Sequence, residues 1–122
     1  GSIGSLIQMQ SFLSAGQIKL LAVAGPKRIN LIPKVPTLIE SGIDVDASNW
    51  WGILAPAGTP LNIVDQLHQA INASLASADM KKRFDNEGAE VIPMTRANFK
   101  KFMVDETVKW AKVARETGIK AE

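Results

Sequence analysis

Glycine and proline cut this chain into short pieces, and that limits its fold more than any other feature. The run "GPKRINLIPKVP" carries Pro26, Pro33 and Pro36, and "APAGTP" carries Pro56 and Pro60. Proline has a fixed φ and no backbone donor, so no regular element crosses either run. Between the breaks, short apolar runs alternate with helix-like patterns. Ile3, Leu6, Ile7, Met9, Phe12 and Leu13 recur near helical spacing, with Gly16 where a helix-ending glycine belongs. "IKLLAVA" then reads as a buried strand, Ile18 to Ala24. "PTLIESG" has Thr37 and Glu40 at capping-box spacing and Gly42 to close a compact helix. A second strand is expected within Ile43 to Leu54.

The second half continues the alternation. Thr59 is placed to cap a helix and Pro60 to occupy its first position, with Ile63, Val64, Leu67, Ala70, Ile71 and Leu75 on one face. Ser77 caps a further short helix that Gly88 closes, and "AEVIP" is a third strand. Thr95 caps a long amphipathic helix over 95–118, with Phe99, Phe102, Met103, Trp110, Val113 and Ala114 on its apolar side. Asp105 and Lys109 stand four apart, in the favourable order for an ion pair. The predicted order is α-β-α-β-α-α-β-α. It forms a single compact unit over 1–122 with no repeat, and it argues for an α/β class with a mixed or largely parallel sheet flanked by helices.

Composition narrows the function. A chain of 122 residues with 14 basic and 12 acidic side chains has a net charge of only +2, and its bases are scattered among acids. No basic tract with interleaved aromatics marks a nucleic-acid surface. The absence of cysteine removes thiol catalysis and cysteine-based zinc sites. No apolar run reaches the roughly 18 residues a membrane helix needs. "GSIGSLIQMQ" has neither a basic leader nor a cleavage-type site, which fits a sequence beginning inside a longer protein.

Catalytic groups are missing too. A nucleophile needs a base and an orienting partner. The chain has one histidine, His68, mid-helix at the border of the apolar face, where a structural or solvated role is expected. Asp44 and Asp46 make a weak pair, short of the oxygens and glycine loop that calcium or magnesium takes. "GILAPAGTP" lacks both common phosphate-loop patterns. No cofactor and no metal is expected. That leaves "NWWGILAPAGTP". Neighbours on a strand face opposite ways, so Trp50 and Trp51 cannot enter the same layer.

Several stretches, in order, resemble a known family. "GQIKLLAV" over Gly16–Val23, Arg28 soon after, "PKVPTLIESG" over Pro33–Gly42, "WGILAPAGTP" over Trp51–Pro60 and "ETVKWAKV" over Glu106–Val113 are similar to the carboxyl-terminal part of the extracytoplasmic solute receptors of tripartite tricarboxylate transporters, the Bug or TctC type. The resemblance implies a partial lobe of a periplasmic-binding-protein-like (type II) fold. It implies a periplasmic receptor that captures a small carboxylate together with a second lobe and delivers it to membrane permease subunits, without catalysis. Carboxylates can be held by backbone N–H groups, hydroxyls and water. Ala24 and Gly25, at the carboxyl end of the first strand, are the expected ligand contacts, because open α/β sheets bind ligands there. Thr37 could lend N–H groups at its short helix, and Trp50 is the better tryptophan for the cleft. Trp51 is expected to be the framework residue packed in the core. Arg28 reads as a loop-holding residue rather than a carboxylate clamp. The alternative is an interaction module that uses exposed apolar surface from both tryptophans and the long helix to form a homodimer.

Overall fold

A computed structural model describes residues 1–119. The chain divides into two compact units, Gly1–Val91 and Ile92–Glu122, where the sequence alone suggests one. Among the described residues there are four helices: α1 (Leu6–Ser14), α2 (Leu61–Leu75), α3 (Ala78–Glu87) and α4 (Arg96–Thr117). The first three belong to the first unit and α4 to the second.

The helix boundaries follow side-chain capping. At α1 the cap is Ser5: its hydroxyl accepts from the Gln8 N–H while the Gln8 side chain accepts from the Ser5 N–H. This reciprocal pair starts the helix three residues later than the apolar spacing suggests. Beyond Ser14, the Gly16 N–H donates to the Leu13 carbonyl and the Gln17 N–H to the Phe12 carbonyl, the paired bonds of a left-handed glycine stop. α2 departs from the expected cap. Thr59 donates its hydroxyl to the Pro56 carbonyl and leaves the helix alone, and Pro60 takes the cap position with no side-chain bond. The Pro56–Pro60 turn uses the hydroxyl first, and proline needs no donor satisfied. Ser77 starts α3 by accepting from the Met80 N–H, and α2 and α3 touch across this joint.

Gly88 ends α3 with φ 67°, and a Cβ there would lie 2.7 Å from Leu6 Cδ2 and 3.1 Å from Ile29 Cγ2. The glycine therefore permits both the left-handed turn and the close seating of this corner on α1 and the Ile29–Leu31 loop. An exposed ion pair, Lys27 Nζ to Glu90 Oε2 at 2.7 Å, ties the same loop to the segment after α3. Such a pair contributes little on its own.

In the second unit, Thr95 caps α4 by accepting from the Asn98 N–H at 3.1 Å. Phe99 and Phe102 stack with ring centres 6.4 Å apart. The Trp110 indole N–H donates to Glu106 Oε2 at 3.1 Å. The expected Asp105–Lys109 pair is replaced: Asp105 bonds Lys101 at 2.6 Å, and Lys109 pairs with Glu106 and lies 5.4 Å from the centre of the Trp110 ring. Lys109 has the Glu106 carboxylate one turn back and an aromatic face beside it, which together outweigh a single surface carboxylate.

The sheet is where expectation and structure part most. Among the described residues the predicted strands Ile18–Ala24, Ile43–Leu54 and Ala89–Pro93 form no ladder, and one parallel bridge joins Val23 to Thr37. The compact helix predicted from Thr37 is a closed turn, although its capping box is present. Local sequence can favour an extended chain, but a strand exists only when a second backbone pairs with it. No hydrophobic side chain is buried among the described residues. Gly25 and Thr37 are the two positions that are.

Candidate functional site

Three segments meet at the carboxyl end of the first apolar run. Val23 lies at the centre. Its N–H donates to the Pro36 carbonyl at 2.8 Å, and its carbonyl accepts from the Leu38 N–H at 2.9 Å. One residue on, the Ala24 carbonyl accepts from the Ala47 N–H at 2.8 Å. Gly25 then passes so close to the third segment that a Cβ would sit 3.2 Å from Ser48 Oγ. A side chain there would require the Ser48 hydroxyl to give way by a few tenths of an ångström. Apolar pattern and turn chemistry thus bring Ala24, Gly25 and Thr37, three of the residues expected at the ligand, to one place.

Thr37 is only 1% exposed. All its polar groups are used. Its N–H donates to Glu40 Oε2 at 2.7 Å, its hydroxyl accepts from the Glu40 N–H at 3.0 Å, and its carbonyl accepts from the Ser41 hydroxyl at 2.9 Å. Capping is therefore the role visible here, and its N–H is committed inside its own turn. Arg28 holds the other side of Glu40. Its Nε donates to both carboxylate oxygens, at 3.0 and 2.8 Å, and a terminal nitrogen donates to the Pro33 carbonyl at 3.0 Å. That is the loop-holding part the sequence suggests. The Arg28 hydrogen bonds, followed by the Thr37 N–H, hold the Glu40 carboxyl below its ordinary range, and the carboxylate raises Arg28 in return.

The core position expected of Trp51 is corrected by the structure. Trp51 is 69% exposed and Trp50 42%. Neither is buried, and Trp51 is not a core residue. Counting back from Gly52, the tryptophan of a W-x-G pattern is Trp50, and the structure gives it the more covered position. The sequence reading also passed over Ser48. Its N–H and hydroxyl both donate to Asp46 Oδ1, at 3.1 and 2.6 Å. The spacing of an aspartate two residues before a serine is the available signal, because such an aspartate closes a turn on the backbone N–H two residues ahead. This turn sets Ser48 against Gly25.

His68 lies on α2 with the Asn72 amide 3.2 Å from its ring nitrogens, an i,i+4 contact within one helix. Among the described residues no group of three His, Cys, Asp or Glu side chains could hold a metal ion. Among them, too, no helix is long and apolar enough to cross a membrane.

The tripartite tricarboxylate transporter family receptors (TctC) match residues 1–119. Protein BugT of Bordetella pertussis is 35% identical over 109 residues, which cover 88% of this chain and 33% of BugT. A UPF0065 protein encoded in the gbd 5′ region of Cupriavidus necator is 31% identical over 105 residues, 86% of this chain and 32% of that protein. The solved structure of the periplasmic binding protein BugD superposes with a TM-score of 0.81 at 28% identity, over 93% of this chain and 39% of BugD. The chain therefore has the fold of part of a periplasmic binding protein and spans about a third of the length of the curated relatives it matches. On the match over 1–119 and the shared sequence, the chain belongs to the tripartite tricarboxylate transporter receptor family of Bug-type solute-binding proteins.

Proposed function

We propose that this chain forms part of the solute site of a periplasmic receptor that captures a small carboxylate and passes it to the membrane permease subunits of a tripartite transporter. One observation carries the reading. The only two buried positions of the described chain, Gly25 and Thr37, lie where three segments converge at the end of an apolar run. Ala24 and Gly25 offer backbone to a ligand there, and a carboxylate needs little more than N–H groups, hydroxyls and ordered water. Thr37, with its own groups engaged, fixes the floor beneath them. Trp50, half exposed, supplies an aromatic wall at the rim. A receptor of this kind binds and releases, so it needs no nucleophile. Homodimer formation through exposed apolar surface is the alternative.

The test is thermal unfolding against a panel of di- and tricarboxylic acids, acidic amino acids and aromatic acids, with molar mass followed by light scattering. Binding of one acid at a hundred times its Kd would add about 2.7 kcal/mol of stability. It should do so both for this chain joined to the remaining part of BugT and, more weakly, for the chain alone. Gly25→Val should abolish the shift. If no acid moves the transition in either form, the carboxylate reading is wrong. If the transition moves only with protein concentration, the dimer reading replaces it.

A further inference from the structure

The corner where Val23, Thr37 and Ala47 meet stands between two bare stretches of chain. Among the described residues, neither Ile18–Ala22 before it nor Trp51–Ala55 after it makes a backbone–backbone hydrogen bond. The order of the corner therefore rests on its own few bonds. Pro36 and Leu38 bracket Val23 at 2.8 and 2.9 Å, and Ala47 holds the Ala24 carbonyl at 2.8 Å. Between Pro36 and Leu38 sits the enclosed Thr37, whose N–H is taken by Glu40 Oε2 at 2.7 Å. Arg28, three residues past Gly25, reaches across the loop to both oxygens of Glu40 and to the Pro33 carbonyl. Chain and hydrogen bonds thus close a ring through Gly25, Arg28, Glu40, Thr37 and Val23. Pro26 lies on its short arm between Gly25 and Arg28, and its fixed φ leaves that arm little slack.

We propose that the Arg28–Glu40 pair is a positioning device for the solute site: it closes the ring so that Ala24 and Gly25 present their backbone in the binding arrangement before solute arrives. This rests on the carboxylate reading above. The two side chains are 44% and 45% exposed, and an exposed ion pair contributes little to overall stability. What the pair controls is the shape of the corner, and a corner already in shape binds more tightly because the solute need not order it. Arg28 and Glu40 are positioning residues that act through Thr37 and Val23.

The sign of one substitution tests this. Glu40→Gln removes a negative charge beside the site, which by itself would tighten the hold on an anion. It also replaces one of the two oxygens that accept from Arg28 with an NH2 donor, so the ring loses its closure. Positioning therefore predicts weaker binding, by about tenfold, where bare charge or a direct Arg28 contact with solute predicts tighter binding. The probes are succinate, citrate, L-glutamate and benzoate, each titrated calorimetrically into the chain. Arg28→Gln should weaken binding at least as much. Lys27→Gln removes a neighbouring positive charge and breaks only the exposed pair with Glu90, and it should change affinity by less than about twofold. Amide hydrogen exchange gives a readout without solute. The amides of Val23, Leu38 and Ala47 should exchange about tenfold faster in Glu40→Gln and Arg28→Gln, with those of α2 unchanged. Affinity that holds or rises in Glu40→Gln overturns the proposal, and so does wild-type exchange at the three amides. If the unsubstituted chain binds none of the four acids, the carboxylate reading falls, while faster exchange at those amides still upholds the hold of the pair on the corner. Should Glu40→Gln fail to fold, Arg28→Lys decides: it keeps the charge and loses the planar fork, so weaker binding with faster exchange upholds the proposal and wild-type behaviour in both overturns it.

Discussion

The Thr37–Ile43 turn and the Trp51–Ala55 stretch lie within a few residues of each other in the sequence, and they solve the same problem in opposite ways. In the turn almost every polar group is met from within seven residues. Glu40 and Ser41 bond back to Thr37, Gly42 to the Ile39 carbonyl, and Ile43 to the Leu38 carbonyl at 2.9 Å. Arg28 clamps it from outside. In Trp51–Ala55 no backbone group finds a backbone partner among the described residues, and the side chains are apolar and exposed. Hydrophobicity does not explain the difference, since the second stretch is the more apolar. What differs is the distance over which each segment must look for its hydrogen bonds. A capped turn closes on itself, whereas a strand depends on a partner from elsewhere.

Substitutions at closed local structure should therefore be costly in the chain alone, and substitutions in the bare stretches should not. The largest cost is expected at Gly88→Ala. A left-handed φ of 67° costs a non-glycine residue about 1–2 kcal/mol, and the new Cβ would meet Leu6 Cδ2 at 2.7 Å, adding about 1 kcal/mol or more of overpacking. Gly118→Ala is the control: its φ is 69° with open space around it, so about 1 kcal/mol is expected. Urea unfolding that ranked the two equally would remove the packing argument at the α3 corner. Next comes Thr37→Ala, at about 2 kcal/mol, since it deletes a buried cap and strands the Glu40 N–H. Thr95→Ala should cost about 1 kcal/mol through the lost bond to the Asn98 N–H. Its effect should be read from helical circular dichroism, because α4 carries it.

Acid gives a smaller and more selective probe of the turn. The folded Glu40 carboxyl titrates below its unfolded value of about 4.3. Its contribution is therefore complete above that pH and disappears as pH falls through the lowered folded value. Thermal unfolding followed from pH 7 to pH 3 should show a loss below about pH 4 that Glu40→Gln lacks. Parallel profiles for the two proteins would mean the Arg28 clamp contributes nothing to folding. The smallest effect belongs to Leu21→Thr, within about 0.5 kcal/mol in the chain alone, because an exposed residue with no partner has little to lose. A large loss there would show that Ile18–Ala22 is already packed, and the contrast between the two regions would collapse.

The contrast also decides how much was legible beforehand. The helix stops were, because a left-handed glycine needs no tertiary help: Gly16, Gly88 and Gly118 all take positive φ. The caps at Ser77 and Thr95 were legible for the same reason. Ser5 was missed because apolar periodicity ran past it, although the serine and Gln8 spell a capping box. The Thr37–Glu40 box was legible as chemistry but not as shape, since a box can close a single turn as well as start a helix. Of the candidate site, the sequence order brings Ala24, Gly25 and Thr37 to one place, Trp51 is exposed where a core position was expected, and Ser48 with its Asp46 turn was not read because only the fold sets the Ser48 hydroxyl against Gly25.

What the sequence by itself determined is what a few neighbouring residues can settle: where helices begin and end, where the chain turns, and which runs prefer to be extended. It also carried the family, because those local signals recur in a fixed order. Only the tertiary structure decided that, among the described residues, the extended runs meet at a single bridge and Gly25 and Thr37 are the two enclosed positions, and that Arg28 reaches Glu40 across twelve residues. The physical reason is the range of the forces. Caps and turns are hydrogen bonds within one turn of chain, while pairing, burial and ion-pair choice depend on segments brought together from afar.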